Sequence, residues 1–402
     1  MFIISKANKG RNLGSLEILI YEKKEKSGFL GLIKTILLRD LLRDQSIKFM
    51  FNLTRHNIDL DQKWSKFFFS PLRSLYMNVK LNYINMKFKD SDFEIITQGP
   101  GFVGGLKMIE TVGRTCYQSQ RKQTDDSCYG FVERMKSSEH YAMLEFFTVY
   151  LKVKYTDTRF YTLLKFYESN PYSRVNMDTF EKTLWITTNY RVIIENKRES
   201  DLEYLCEPEP EHAKRTTIRL FISRGISHES VRHRVASFAQ SSQRYINYSK
   251  QHFGGEIIFI IPDKFYRLRD EYAKTIDPLT GKSREYLKNL TGEDLVKTLT
   301  CIDRGASCWY DNMVRTEEDY KYLTLEEGWA AQDARDVLNN ATSTLLNICM
   351  FNEDWKHYLD LRALGTTGKP HPDMKRISDK VLDKFIEDGI FTLDKEGKLC
   401  LN

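Results

Sequence analysis

The residues best suited to chemistry are basic side chains in one stretch, residues 227–249, which reads SHESVRHRVASFAQSSQRYINYS. It contains the run Arg-His-Arg at 232–234, with Ser242 ten residues after the first Arg and Arg244 two residues further on. A serine hydroxyl and planar guanidinium groups are donors that proteins use to bind phosphate. Together these groups could form a phosphate clamp; a basic surface turn is the alternative, because short patterns such as Arg-x-Arg recur by chance.

A strand and a short helix are expected to position these groups. Residues 217–223 alternate in character, which predicts a strand with its isoleucine and leucine side chains on one face. Ser227 is expected to cap a helix over residues 227–233. In that helix Arg232 and Arg234 would project about 200° apart, because each residue of an α-helix advances by roughly 100°. One arginine would therefore face one ligand while the other faces a second.

The Ser/Gln-rich segment after Ala236 is a poor helix former and favours extended chain. In extended chain Ser242 and Arg244 lie on the same side, because side chains alternate along the backbone. Periodicity predicts further strands at residues 93–96, 146–154, 185–195, 256–261 and 342–350. Helical patterns occur at residues 28–44, 104–117, 263–320, 324–338, 353–364 and 374–385. Thr324, in a capping box, and Asn352 are expected to cap two of these helices.

The composition limits the classes of protein to which this chain can belong. Residues 1–90 hold 17 Lys+Arg and 8 Asp+Glu, whereas the remainder holds 44 and 47, so the basic character belongs to the N-terminal segment. Binding of a nucleic acid polymer by the whole protein is therefore not expected. Seven cysteines without a CxxC pair argue for a reducing compartment and against a zinc site or a disulfide framework. No apolar run approaches the ~20 residues that cross a bilayer, so we expect no membrane partner and a cytoplasmic location.

The chain is expected to have two parts. Residues 1–90 form a basic N-terminal extension of unknown role, in which the pattern at 28–44 fits an amphipathic helix of a small core. A helix for a partner or a membrane surface is the alternative. Met77 and Met86 are alternative start positions, which would make the upstream stretch an accessory extension or an artefact. Residues 91–395 form the domain that holds the motifs.

Two blocks of this sequence resemble the signatures of the flavin-dependent thymidylate synthases. The first is SHESVRHRVASFAQSSQRY at residues 227–245, with Arg-His-Arg, seven intervening residues, Ser, and then x-Arg-Tyr. The second is WKHYLDLR at residues 355–362, which is similar to a family block that ends in the Arg contacting the pyrimidine. Residues 137–145 (SSEHYAMLE) occupy the place of the family's His-containing flavin segment, and the resemblance extends over residues 92–385.

This resemblance implies an α+β fold, with a twisted, mainly antiparallel sheet flanked by helices, assembled as a homotetramer. It implies FAD as the cofactor, dUMP as the substrate, and NADPH and methylenetetrahydrofolate as co-substrates. In the family's chemistry the one-carbon unit passes to C5 of dUMP and the reduced flavin supplies the hydride, which gives dTMP. Neither a metal nor a cysteine nucleophile is expected.

The family's functional positions fall on particular residues of this chain. The resemblance assigns the flavin to His140, Ala142, Arg232, His233, Arg234, Gln240, Asn352 and His357. It assigns the nucleotide to Glu229, Arg232, Gln240, Ser241, Ser242, Gln243, Arg244, Arg335 and Arg362. Arg362 is the expected catalytic residue, because a fixed cation stabilises negative charge on the pyrimidine and so makes C5 more nucleophilic. A guanidinium does not deprotonate in proteins, so its role is charge stabilisation rather than proton removal.

The chain also departs from the family pattern. Ala142 stands where the family often has a hydroxyl, and Gln240 stands where many members carry Glu. Phe351 and Glu353 replace an Asn-x-Arg, so Asn352 is expected to substitute in the flavin site. The family's Leu-Pro pair after the nucleotide-contacting arginine is Leu-Asn here.

Other functions stay open at this point. The chain could be a lapsed paralogue that binds nucleotide without turnover, or an assembly protein that uses the basic N-terminal segment. It could also be a related flavin-dependent methyltransferase for another pyrimidine nucleotide. The absorption spectrum with and without dUMP, and tritium release from C5 of dUMP, separate these alternatives.

Overall fold

The computed structural model describes residues 17–18, 36–37, 87–178, 180, 182–251, 255–277 and 280–402. The chain divides into two compact units, residues 1–76 and residues 77–402. The domain boundary expected after residue 90 stays a prediction.

In the first unit, β1 (Glu17–Ile18) and β2 (Ile36–Leu37) pair in antiparallel fashion. The helix predicted over residues 28–44 is therefore wrong at residues 36–37, because an apolar pattern in a short run does not distinguish a strand from a helix. The rest of that prediction lies outside the described residues.

The second unit mixes strands and helices. Its strands are β3 (Lys87–Lys89), β4 (Asp92–Ile96), β5 (Thr148–Lys154), β6 (Arg174–Asp178), β7 (Thr183–Asn189), β8 (Arg215–Ser223), β9 (Ser237–Gln240), β10 (Ile258–Ile260), β11 (Ser343–Phe351), β12 (Phe391–Leu393) and β13 (Leu399–Leu401). Its α-helices are α1 (Gly101–Tyr117), α2 (Ser127–Ser137), α3 (Phe160–Ser169), α4 (Tyr190–Glu195), α5 (Arg224–Ser230), α6 (Asp263–Ala273), α7 (Gly292–Ile302), α8 (Arg304–Lys321), α9 (Ala331–Ala334), α10 (Asn352–Leu359) and α11 (Pro372–Glu387).

A four-stranded antiparallel sheet positions the functional residues, in the order β4-β8-β11-β9. The alternation in β8 buries Ile218, Leu220 and Ile222 on one face, as the sequence predicts. That face packs against α10 and α11 through side chains such as Trp355 and Met374, in a shared apolar core. The strand predicted at residues 217–223 is confirmed, with two more residues at its start.

The opposite face of this sheet is covered by α1. Met108 and Val112 of this helix form an apolar cluster with Ala239 of β9 and Cys349 of β11. Helices therefore lie on both faces of an antiparallel sheet, because each face carries apolar side chains that must be removed from water. The α+β class expected from the sequence is confirmed.

A second antiparallel sheet has the order β5-β7-β6. Its central strand, β7, is buried along its whole length. It shares an apolar core with α1 to α4, which includes Leu106, Phe131, Leu163 and Ile186. In sequence order, the strands of this sheet come after β4 and before β8, which are both strands of the central sheet.

A third core brings together α6, α7 and α8 with the parallel pair β3 and β10. Its largest buried side chains include Tyr310, Tyr320 and Phe259. The helical character predicted for residues 263–320 is confirmed as these three helices. Within the described ranges, no helix combines the length and the apolar composition needed to cross a lipid bilayer.

Two predicted elements differ from the structure. The strand predicted at 185–195 ends at Asn189, whose side chain accepts a hydrogen bond from the N–H of Val192 and so starts α4. Thr324 does not open a helix; its hydroxyl donates to the carbonyl of Tyr320 at 2.8 Å, in a π-type turn that extends α8. The helix predicted at 324–338 is reduced to α9 and a following 3₁₀ turn, since the chain breaks at Gly328 with φ of 69°.

Candidate functional site

Helix α5 starts directly after β8 and carries the first motif residues. Ser223, which caps it, accepts a hydrogen bond from the N–H of Ile226 at 3.3 Å. The helix ends at Ser230, so the helix predicted over residues 227–233 with a Ser227 cap is wrong. Ser223 and Ser227 could each cap a helix by residue type. Ser223 is the cap because it ends β8 in the extended conformation that a cap requires.

The run Arg232, His233 and Arg234 lies on a turn after α5, not on a helix. The side chains of both arginines are exposed, whereas that of His233 is half-buried. The angular separation expected from helical geometry therefore does not apply. All three side chains instead line one cavity.

Arg362 reaches the same cavity from the second motif. It lies in the π-type turn of residues 360–364 that extends α10 and ends at Gly365, where φ is 69°. Its Nη1 donates to Oε2 of Glu229 at 3.1 Å, and its Nη2 donates to the backbone carbonyl of Glu229 at 3.0 Å. Its Nε donates to Nε2 of His233 at 3.4 Å. These contacts hold the guanidinium group against the end of α5.

The shared cavity has a volume of about 410 Å³. Its basic lining residues are Arg232, His233, Arg234, His357 and Arg362. One carboxyl group, that of Asp354, lines it as well, beside apolar side chains that include Val235 and Leu361. Cationic groups next to apolar surface suit a ligand that has both phosphates and a ring.

His233 is neutral in this setting. Burial lowers the pKa of its imidazole to about 4, and the nearby charges of Arg362 and His357 act in the same direction. The ring of His233 lies 4.6 Å from that of Tyr358, centroid to centroid. A neutral imidazole has one nitrogen free to accept, which agrees with the hydrogen bond from Arg362.

The second half of the first motif leaves the cavity. Residues 237–240 form β9, so the extended conformation predicted after Ala236 is confirmed there. It is wrong for residues 242–244, because the backbone N–H of Ile246 donates to the carbonyl of Ser242 at 3.1 Å and closes a turn. The backbone N–H of Ser242 donates to the carbonyl of Cys116 at 2.9 Å, which ties the turn to the end of α1.

Arg244 and Arg335 are both exposed and line a different region from Arg362. The Nε of Arg244 donates to Oε1 of Gln332 at 3.2 Å, and its guanidinium carbon lies 5.4 Å from the ring of Tyr245. Arg335 is in the 3₁₀ turn three residues after Gln332. Arg244 thus contacts the segment that carries Arg335, and neither of these predicted nucleotide contacts lines the cavity of Arg362 in the same chain.

Three further residues of this segment make contacts within the protein. The side-chain amide of Gln240 donates to the hydroxyls of Ser227 at 2.7 Å and Thr344 at 3.2 Å. Ser241 is buried, and Gln243 forms a hydrogen bond with Tyr248. These contacts fix the backbone that carries Ser242 and Arg244.

Arg224 belongs with this group, although the sequence did not single it out. Its Nη1 donates to the carbonyl of Ser241 at 3.2 Å, and burial lowers the pKa of its guanidinium, with the charge of Arg335 reinforcing the effect. In the described part of the chain it has no ion-pair partner. The sequence feature that could have identified Arg224 is its position as a cation directly after an apolar strand, because a side chain there lies at the edge of a core.

The remaining predicted flavin residues lie apart from the arginine cavity. His140 and Ala142 line a second cavity of about 580 Å³, together with Tyr117 and Arg191. Asn352 is the first residue of α10 rather than its cap, since Phe351 takes the cap position. Its Oδ1 accepts from the hydroxyl of Thr216 at 2.8 Å. Of the predicted flavin residues, the chain thus gathers Arg232, His233, Arg234 and His357 only.

No cluster of three or more His, Cys, Asp or Glu side chains suited to a metal ion is found in the described ranges. The basic side chains that line the cavity with Arg362 make it suited to organic anions.

Residues 209–387 match a family model described as "Thymidylate synthase complementing protein". A flavin-dependent thymidylate synthase from Pyrococcus furiosus is 29% identical over 220 residues, which cover 54% of this chain and 74% of the relative. One from Corynebacterium efficiens is 31% identical over 156 residues, which cover 38% of this chain and 51% of the relative. The chain thus spans between half and three quarters of the length of these relatives. His140 and Ala142 lie outside the range that the family model matches.

Two solved structures are also similar. A UMP/dUMP methylase PolB from Streptomyces cacaoi, bound with 5-Br dUMP, is 14% identical with a TM-score of 0.32, covering 75% of this chain and 93% of that one. A thymidylate synthase X from Helicobacter pylori, with FAD and dUMP, is 14% identical with a TM-score of 0.26, covering 73% of this chain and 92% of that one.

Proposed function

Because this chain belongs to the flavin-dependent thymidylate synthase family, we propose that it converts dUMP into dTMP. Methylenetetrahydrofolate is the carbon donor, and NADPH reduces the bound FAD. One observation carries the proposal: the two motif blocks meet where Arg362 contacts Glu229, and these two residues are 133 positions apart in the sequence. A contact over that separation gathers cationic side chains from both blocks around one cavity.

The residues around this cavity fit the chemistry of FAD. FAD combines a pyrophosphate with a ring system, and the exposed guanidinium groups of Arg232 and Arg234 are suited to bidentate contacts with phosphate oxygens. Val235 and Leu361 supply apolar surface beside them. A volume of about 410 Å³ lies in the lower part of the range for small-molecule sites, so the cavity of one chain would hold part of the cofactor.

Arg362 is the proposed catalytic residue. When bound, FAD in its reduced form supplies the hydride that completes the methyl group. Arg362 places a fixed positive charge where negative charge develops on the pyrimidine, which makes C5 a better nucleophile. Its donors are already oriented by Glu229 and His233, so little reorganisation accompanies the reaction.

The proposed chemistry uses no cysteine nucleophile. The residues that line the arginine cavity include no cysteine. Burial raises the pKa of Cys116 to about 11 and that of Cys206 to about 11, which disfavours the reactive thiolate at both positions.

We also propose that the site is completed by further copies in a homotetramer. Neither Arg244 nor Arg335 lines the cavity that contains Arg362, although the resemblance assigns all three residues to one nucleotide. Mixing two inactive variants, Arg362→Ala and Arg244→Ala, under conditions that exchange subunits should restore activity in part. Failure of every mixture to regain activity, in spite of exchange shown by native mass spectrometry, would count against a shared site.

The activity is tested by release of tritium from dUMP labelled at C5, with methylenetetrahydrofolate and NADPH present, and by chromatographic detection of dTMP. Tritium release with dTMP formation is the expected result. FAD binding without tritium release would favour the lapsed paralogue. Turnover of another pyrimidine nucleotide in preference to dUMP would favour the related methyltransferase.

A cytoplasmic location is part of the same proposal. All seven cysteines are free in the structure, which suits a reducing compartment. The nucleotide and folate substrates are charged molecules that such a compartment would supply.

A further inference from the structure

The second sheet reaches the arginine cavity from outside the region that the family model matches. Arg174 is the first residue of β6, whereas the match begins at residue 209. Its Nε donates to Oε2 of Glu353 at 3.3 Å, and its Nη2 donates to Oδ2 of Asp354 at 3.5 Å. Both acids lie at the start of α10, the helix that carries His357 and continues to Arg362.

Arg174 is anchored on its own side of this contact. Its Nη1 donates to the backbone carbonyls of Pro171 at 3.3 Å and Ser173 at 3.0 Å. Its guanidinium carbon lies 4.5 Å from the centre of the Phe351 ring, within the range of a cation–π interaction. An arginine held by backbone carbonyls and a ring has lost most of its rotamer freedom, so it can fix the orientation of a partner.

Asp354 is the partner of Arg174 that lines the cavity, and Glu353 does not. The charged and titratable groups that face Asp354 are Arg174, Arg215, Glu353 and His357, and Arg232 and Arg234 line the same cavity. Burial raises the pKa of the Asp354 carboxyl, and Arg174 is the first of the cations that oppose this effect. Removal of Arg174 would therefore favour protonation of Asp354.

We propose that Arg174 is a positioning residue that holds the carboxylate of Asp354 at the cavity. There Asp354 accepts hydrogen bonds from donor groups of the flavin nucleotide, such as its hydroxyls. A carboxylate only accepts, whereas the guanidinium groups around it only donate, so Asp354 gives the cavity a function that its other charged residues lack. The inference rests on the proposed function, and it makes the second sheet a determinant of FAD affinity.

The test is a double-mutant cycle on the full-length chain, read as the dissociation constant of FAD by fluorescence titration. Arg174→Gln and Asp354→Asn should each weaken FAD binding by about tenfold, the order expected for a hydrogen bond to a charged group. The double variant should bind no more weakly than Asp354→Asn alone, because Arg174 acts through Asp354. Lys154→Gln is the control: it removes a cation from β5 of the same sheet, where Nζ donates to Thr183 at 2.8 Å, and should leave FAD affinity unchanged.

A pH series separates this role from simple stabilisation of the sheet. FAD affinity of the wild-type protein should fall as the pH drops through the pKa of Asp354. In Arg174→Gln the midpoint of this fall in FAD affinity should move to higher pH, and in Arg174→Lys it should return to the wild-type pH. In Asp354→Asn this pH dependence should disappear.

Either of two results would overturn this inference and leave the proposed function intact. One is an Arg174→Gln variant with the FAD affinity and pH dependence of the wild type. The other is a double variant in which the two single losses of FAD affinity add. A wild-type protein that binds no FAD would overturn the proposed function as well, so the two failures are distinguishable.

Discussion

Arg362 is placed by contacts that no short sequence window contains. Its donors are directed by the side chain and backbone of Glu229 and by His233, which all come from the first motif. The sequence could assign this arginine through its resemblance to a family block, but it could not reveal the ion pair with Glu229. That pair arises because α10 packs on the sheet beside α5, which is a tertiary event.

Replacement of Arg362 by Ala is expected to lower turnover by about 100-fold or more, the size seen when one preorganised electrostatic donor is removed. FAD should stay bound, because the proposed flavin contacts Arg232, Arg234 and His357 remain. Turnover comes from the tritium assay and bound flavin from absorbance.

Lys356→Gln is the matched control for Arg362→Ala. It also removes a cation from the segment of α10, but Lys356 pairs with Asp360 at 2.8 Å and does not line the cavity. An Arg362→Ala protein that turns over like the wild type would remove this residue from its catalytic assignment.

His233 should make stability depend on pH in a known direction. Its pKa lies near 4 in the folded protein and at the ordinary 6.5 in the unfolded chain, so the unfolded state binds more protons between these values. Stability should therefore decline as the pH falls from about 6.5 to about 4 and then level off, as far as this group contributes.

The measurement is the free energy of unfolding of wild type and His233→Gln across this pH range. Gln keeps an acceptor for Arg362 and does not titrate, so the wild type should lose stability relative to the variant as the pH falls. A difference between the two proteins that stays constant with pH would show that His233 does not titrate with a depressed pKa.

At the scale of elements, strongly alternating strands were predictable and helix starts were not. The strands at 217–223 and 342–350 were confirmed: β8 alternates buried apolar side chains with partly exposed ones, and β11 is mainly apolar and buried on both faces from Leu346 to Phe351. The sequence did not predict that Ser223 caps α5, because Ser223 and Ser227 are the same residue type and each could cap a helix. Only the end of β8 at Ser223 decides between them. The predicted cap at Asn352 failed by one residue, which is the usual scale of error at helix ends.

The packing of α1 against the second sheet leads to a prediction about two glycines. A Cβ at Gly105 would lie 2.2 Å from ring atoms of Phe147, whereas a Cβ at Gly130 of α2 would meet only the far end of Arg134, at 3.5 Å. Gly105→Ala should therefore destabilise the protein by about 1–3 kcal/mol through overpacking.

Gly130→Ala is the control for Gly105→Ala and should be neutral or stabilising by up to about 1 kcal/mol, because Ala is the better helix former. Urea unfolding of the two variants decides between them. Equal stability of both would mean that α1 does not approach Phe147 this closely.

At the scale of the whole molecule, the sequence predicted the fold class and the two motif blocks, but not the division of the first block between two regions of one chain. Arg232 and Arg362 share a cavity, whereas Arg244 and Arg335 lie with Arg224 elsewhere. The reason is that β9 takes residues 237–240 across the sheet before the turn at Ser242. Residues that are close together in one sequence motif are therefore not all close together in one folded chain. This is why we propose that the site is completed by other copies of the protein.

The absorption spectrum of the purified protein, before and after addition of dUMP, tests the central claim most directly. We predict a yellow protein whose flavin band changes with dUMP, because the proposed function places nucleotide and flavin together at the cationic cavity of Arg232 and Arg362. In Arg362→Ala the colour should remain and the response to dUMP should be lost. A colourless protein that takes up no added FAD, or a flavin band that is indifferent to saturating dUMP, would contradict the account.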